Sequence, residues 1–137
     1  MLKMKMFVGV LGATLALSLS SFAYENVDAK KFKEILKKNK NVVLLDVRTP
    51  QEFYEGHIPE ANLLPVQLFQ YVFLGGKGIK DKTVLVYCRS GKRSSIAAKQ
   101  LDEWGVKKVY NLKGGIIEWK SSGFKVIKPE AKDDIKR

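Results

Sequence analysis

Hydrophobic and polar positions divide this chain into unlike regions. An uncharged apolar run extends from Met6 to Leu19 behind Lys3 and Lys5, and gives way to Ser20, Ser21, Phe22 and Ala23. The run falls short of the ~20 residues that a membrane-crossing helix needs. Its basic front and the small residues Ser21 and Ala23 match a secretory leader cleaved after Ala23. No cysteine stands near that point to accept lipid. At the other end, residues 128–137 are charged and hold a single large apolar residue, Ile135. The pattern predicts a leader over 1–23, one folded domain over 24–128 and a charged, frayed tail over 129–137.

Within the domain, Asp28 can cap a helix whose stripe is Phe32, Ile35 and Leu36. Its other positions are largely lysines, so the helix should lie on the surface. Val42-Val43-Leu44-Leu45 is a continuous apolar run, β-branched at its start, as in a strand buried on both faces of a parallel sheet. Thr49 and Pro50 can open a short helix through Tyr54. Gly56-His57-Ile58-Pro59 reads as a turn, Leu63-Leu64 as a short strand, residues 67–73 as a helix and Gly75-Gly76-Lys77-Gly78 as a loop. Residues 83–87 form the second strong strand. A helix is expected from Ser94 or Ser95 through Trp104, with Ile96, Ala97, Gln100, Leu101 and Trp104 along one side. Lys108 to Asn111 resembles a strand, Gly114-Gly115 a tight turn, residues 116–121 a short helix and Val126-Ile127 a last strand. Buried strands alternating with helices give an α/β domain with a central, mainly parallel sheet flanked by helices.

Composition changes this picture in two ways. The chain carries 25 Lys+Arg against 14 Asp+Glu, and the leader removes only Lys3 and Lys5. Such a surface favours small anions, anionic lipid head groups or acidic proteins. Nucleic acid suits the charge but not an exported protein. The lysine-rich first helix could touch anionic lipid, although docking onto the sheet accounts for its stripe. There is one cysteine, Cys88, so the chain has no internal disulfide. A free thiol in an oxidising compartment is a liability unless buried or used.

Cys88 directly follows the second strong strand, where ligands bind in open α/β sheets. Cys88-Arg89-Ser90-Gly91-Lys92-Arg93 then leads into a helix N-terminus. Unpaired N–H groups at that terminus, a curl of loop amides permitted by Gly91, and the charges of Arg89, Lys92 and Arg93 all favour thiolate over thiol. A lowered Cys88 pKa is expected. The plainer alternative, a small apolar core residue at a strand end, leaves the basic, glycine-containing turn unexplained.

Cys88-Arg-Ser-Gly-Lys-Arg-Ser94 resembles the active-site loop of rhodanese-domain sulfurtransferases, Cys-Arg-x-Gly-x-Arg-Ser. Asp46-Val47-Arg48, Glu52-Phe53 and Gly56-His57-Ile58-Pro59 are similar to an upstream block of that family. Gly114-Gly115 with Trp119 is similar to its closing segment. The matches run in the family's order over roughly residues 28–127. Glu60 and Leu63 depart from it, standing where Gly and Asn are frequent, with Asn62 displaced by one. The resemblance implies a three-layer rhodanese-like domain in which Cys88 takes a sulfur from an anionic donor such as thiosulfate. The resulting persulfide passes it to cyanide, a thiol or a protein acceptor. Arg89, Ser90, Gly91, Lys92 and Arg93 would bind the donor; neither metal nor organic cofactor is implied. Cysteine phosphatases, some on this fold, place five residues between Cys and Arg. The four between Cys88 and Arg93 make a loop that suits one sulfur better than a tetrahedral phosphate.

His57, the single histidine, reads as structural rather than as a general base, and Arg48 as pairing with a nearby carboxylate. Trp104 and Trp119 read as packing residues. The resulting expectation is a monomeric periplasmic or secreted sulfurtransferase of the thiosulfate type without a stable membrane span. A persulfide carrier without turnover and a redox-sensing thiol are the alternatives.

Overall fold

The computed structural model describes residues 24–129. The leader expected over 1–23 and most of the tail expected over 129–137 lie outside them. Among the described residues no helix is long and apolar enough to cross a membrane.

Five strands, β1 (Glu25–Val27), β2 (Val42–Asp46), β3 (Asn62–Leu63), β4 (Thr83–Tyr87) and β5 (Lys108–Leu112), form one sheet in the order β1-β5-β4-β2-β3. All its pairings are parallel. β4 lies at the centre and every residue of it is buried, as its unbroken apolar run requires. Its side chains alternate between two cores. Val84, Val86 and Cys88 pack with Phe69, Ala97, Ala98 and Leu101 on one face. Leu85 and Tyr87 pack with Phe32, Ile58, Ile116 and Trp119 on the other.

The helices supply the two outer layers. α1 (Ala29–Lys38) starts at Asp28, whose carboxylate accepts from the Lys31 N–H at 2.8 Å. With α5 (Gly115–Ser121) it covers one face. The other face is covered by α3 (Phe69–Phe73) and α4 (Lys92–Glu103). The short α2 (Pro50–Glu55) follows β2 and is closed by a capping box between Thr49 and Glu52, each satisfying an N–H of the other's backbone.

Several local expectations are corrected. β1 was not anticipated, because Glu-Asn-Val carries no apolar run; its pairing with β5 makes it a strand. The short strand after α2 is Asn62–Leu63 rather than Leu63-Leu64. Residues 66–68 form a 3₁₀ turn before α3 rather than joining a helix over 67–73. Val126-Ile127 forms no strand; Ile127 makes only an antiparallel bridge to His57. α4 begins at Lys92, earlier than Ser94, since Gly91 takes the left-handed conformation (φ 100°) and turns the chain directly into the helix. Ile96, expected inside, is 63% exposed. The face of α4 that meets the sheet consists instead of the small residues Ser94, Ala97 and Ala98 with Leu101, which let the helix approach closely.

Candidate active site

The carboxyl end of β4 delivers Cys88 beneath a turn that closes over its sulfur. Sγ accepts from the Gly91 N–H at 3.1 Å, the Ser94 N–H at 3.4 Å and the Ser94 hydroxyl at 3.3 Å. Gly91 occupies the N-cap position of α4 but has no side chain to offer, and no side-chain cap is made there. A cap normally accepts from an N–H of the first turn. Here Cys88 Sγ accepts that bond through Ser94, so the sulfur itself caps the helix.

The thiol's acidity follows from the same contacts. Burial alone raises its pKa; the Ser94 hydroxyl and the N–H groups of Ser94, Ser90 and Gly91 outweigh burial and bring it below the ordinary value. These donors outrank the cationic side chains. Cys88 is only 1% exposed, so a reactant must reach it through the mouth of the turn. The sulfur lies under the amide ring rather than turned away from it.

The basic residues of the segment separate into two groups. Arg93 is fastened to Glu52 by a bidentate pair, Nη1 to Oε1 at 2.7 Å and Nη2 to Oε2 at 2.9 Å. That pairing pulls the Glu52 carboxyl down to about 2. Arg89 and Lys92 are exposed and make no salt bridge among the described residues. Arg89 borders a cleft of about 230 Å³ shared with Glu52, Ile117 and Lys120. An approaching anion therefore meets Arg89 and Lys92 as free cations, while Arg93 ties α4 to α2.

A second turn holds the first from below. The Ile116 N–H donates to the Cys88 carbonyl at 2.9 Å and the Ile117 N–H to the Arg89 carbonyl at 3.3 Å. Gly115 has φ 63°, and a Cβ there would lie 2.1 Å from the Arg89 oxygen; one on Gly91 would lie 2.2 Å from the Lys113 oxygen. Each glycine lets the other turn's backbone come close, the use that glycine serves wherever two main chains must touch.

Deeper still, Arg48 is buried and forks onto Asp46, with Nη2 at 2.7 Å from Oδ2, and donates from the same nitrogen to the Gly56 carbonyl at 2.7 Å. The Tyr87 hydroxyl donates to Asp46 Oδ2 at 2.7 Å and accepts from the Ile58 N–H at 3.1 Å. Burial beside that carboxylate raises the phenol's pKa far above its usual range. This network fixes the segment between β2 and β3. His57 belongs to the same frame: its ring stacks on Phe53 with centroids 3.7 Å apart, and Nδ1 lies 3.1 Å from the Phe53 carbonyl. Trp119 packs edge-on against Phe32 and donates its indole N–H to the Lys125 carbonyl.

Of the residues expected to build the site, the structure brings the sulfur of Cys88 together with the backbones of Ser90 and Gly91. Arg89 and Lys92 stand at the rim, and Arg93 is engaged by Glu52. Sequence reasoning placed Ser94 at the end of the loop motif and at a helix boundary but missed it as a donor to sulfur. It also missed Glu52 as the partner of Arg93, for the two are 41 positions apart. Among the described residues no cluster of three His, Cys, Asp or Glu side chains could hold a metal ion.

The profile of the Rhodanese-like domain matches residues 28–122. A protein of Allochromatium vinosum named Sulfurtransferase is 38% identical over 104 residues, covering 76% of this chain and 95% of its own length. The thiosulfate sulfurtransferase GlpE of Coxiella burnetii is 37% identical over 98 residues, covering 72% of this chain and 89% of its own. Among solved structures, the rhodanese-related protein from Thermoplasma volcanium superposes with a TM-score of 0.66 at 28% identity, covering 76% of this chain and 98% of that one. A turn of amides closed over one cysteine at the end of a central parallel strand, together with this match, makes the chain a member of the rhodanese-like domain family.

Proposed function

We propose that this protein is an exported sulfurtransferase that moves sulfane sulfur from an anionic donor, thiosulfate or a close analogue, to a thiophilic acceptor through a persulfide on Cys88. The single observation that carries the reading is the convergence of the Gly91 N–H, the Ser94 N–H and the Ser94 hydroxyl on one sulfur. Relatives named for sulfur transfer at 37–38% identity support it.

The chemistry divides into two displacements. Cys88 thiolate attacks the outer sulfur of thiosulfate, a sulfur–sulfur bond forms to Sγ, and the donor's own sulfur–sulfur bond breaks. Sulfite leaves with the electron pair of that bond. The negative charge now sits on the terminal sulfur, within reach of the same amides, which act as preorganised donors. Arg89 and Lys92 at the rim attract the dianionic donor and favour departing sulfite. Cyanide or a thiolate then attacks the terminal sulfur and returns the bonding pair to Sγ, restoring the thiolate. No proton has to be transferred at Sγ, so His57 needs no part in the reaction. The leader-like pattern of residues 1–23 supports export.

The test is intact-mass analysis of protein purified without reductant and then exposed to thiosulfate, paired with a thiosulfate:cyanide assay. The wild type is expected to gain one sulfur and to turn over, and Cys88→Ser to do neither. Sulfur loading without turnover would make the protein a carrier, and an unchanged mass would refute the persulfide.

A further inference from the structure

Because every pairing in the sheet is parallel, all strands begin at the pole opposite Cys88, and that pole is basic. α1 runs back from the Cys88 end, bringing Lys37 and Lys38 of its last turn, and Lys40 just beyond, to this pole. The Thr83 N–H donates to the Asn41 carbonyl at 3.0 Å and the Lys107 N–H to the Lys80 carbonyl at 3.2 Å. These bonds join the turn before β4, the start of β2 and the start of β5 into one surface. An open hollow of about 690 Å³ lies there, lined in part by Leu74, Lys77, Lys80 and Lys82. The acidic groups at this pole are fewer: Glu25 at the start of β1, Asp81, paired with Lys107 at 3.5 Å, and Asp102 and Glu103 at the end of α4.

The same surface exposes apolar side chains. Leu74 is 68% exposed, and Tyr71 and Val72 on the preceding helix are 71% and 55% exposed. Leu74 also ends α3 in the left-handed conformation, φ 40°, where glycine is the usual residue. A leucine there incurs a backbone cost while gaining little burial in the fold, which directs attention to what it meets outside.

Lysines around an outward leucine suit one kind of surface best. An anionic bilayer attracts juxtamembrane lysines within a Debye length of its head groups. Its interfacial zone also accepts leucine and tyrosine side chains. A nucleic acid would use the lysines but leave Leu74 without a role, and an acidic protein would have to set a matching apolar patch against it, which a bilayer interface supplies without a shaped partner. We propose that this basic pole docks the domain on an anionic lipid surface, with Leu74 inserted at its centre. β4 has five residues, so at ~3.3 Å per residue Cys88 lies roughly 16 Å beyond the docked pole and faces away from the lipid.

The test is co-sedimentation of the full chain with vesicles of phosphatidylcholine alone and of phosphatidylcholine mixed with phosphatidylglycerol. Wild type is compared with Lys40→Glu/Lys77→Glu/Lys80→Glu and with Leu74→Ser, every chain carrying the same residues 1–23. All four positions are exposed, so the fold should persist, as a melting curve will verify. The wild type is expected to bind the anionic vesicles more strongly than the neutral ones and to lose that excess at high salt. The triple variant is expected to lose at least about 100-fold of the excess, at roughly fivefold per lysine, and Leu74→Ser about tenfold. Thiosulfate:cyanide turnover is expected to be the same in all three. Either variant partitioning like the wild type overturns the proposal. So does wild-type binding to single-stranded DNA or polyglutamate without any preference for anionic vesicles.

Discussion

Ser94→Ala is the most direct probe of how the sulfur is kept anionic. The substitution removes one donor at 3.3 Å from Sγ and leaves the Ser94 N–H and Gly91 N–H in place. Ser94 is completely buried, so water cannot readily replace its hydroxyl. Hydrogen bonds to charged groups are worth about 1.5–3 kcal/mol, and a long bond to sulfur belongs at the low end. At 1.36 kcal/mol per unit, the Cys88 pKa should rise by roughly one unit. Below both values the thiolate fraction falls about tenfold, but a more basic thiolate is a better nucleophile, with a Brønsted slope near 0.4–0.5. The net loss is then roughly threefold at low pH and vanishes, or reverses, above the midpoint. The rate of iodoacetamide alkylation against pH reads both effects. A midpoint that stays where the wild type has it, in a variant that melts normally, would refute the claim that this hydroxyl holds the charge.

The frame around the turn gives further expectations. Gly115→Ala forces a Cβ against the Arg89 carbonyl and puts alanine in a left-handed conformation that costs roughly 1–2 kcal/mol before any overlap; thermal melting should fall by several degrees and turnover should drop further than stability does. Asp46→Asn leaves the Arg48 guanidinium buried without its counter-charge, a change of about 3–5 kcal/mol that urea denaturation will detect. Glu52 has its pKa lowered from 4.5 to about 2 by the Arg93 bonds. The pair's contribution is therefore complete above pH 4.5 and lost as pH falls through about 2. With solvent screening at this half-open site it amounts to about 1 kcal/mol, and Glu52→Gln should flatten the acid limb of a pH–melting curve by that amount. Arg89→Ala, which removes a cation free of salt bridges among the described residues, should raise KM for thiosulfate several-fold with little effect on kcat; an unchanged KM would remove Arg89 from donor binding.

Much of this architecture could be read in the sequence because burial on both faces leaves no room for alternation. The runs that became β2 and β4 are apolar at nearly every position, and each is followed at once by residues that line the site: Arg48 after β2, Cys88 after β4. Where context rather than composition decides, the pattern misled. Glu25–Val27 becomes a strand only because β5 offers a free edge. Ile96 looked like a core position of α4, yet close approach to β4 and β5 selected Ser94, Ala97 and Ala98 for the inner face. Ser94 and Glu52 were visible as residues of matched segments, but their roles were not, for related reasons. Ser94 needed knowledge that α4 starts at Lys92, which places its N–H and hydroxyl together over the sulfur. Glu52 needed the tertiary meeting of α2 with α4, which no local spacing encodes.

A reactive atom that also finishes a helix cannot change its cargo without changing the helix. Once a second sulfur is attached, the anion moves one bond outward, and the first turn of α4 must reach for a different acceptor. Empty and loaded proteins should then differ in amide-exchange protection at Gly91 and Ser94, the two amides that bond Sγ, so that the backbone itself reports whether the protein is carrying sulfur.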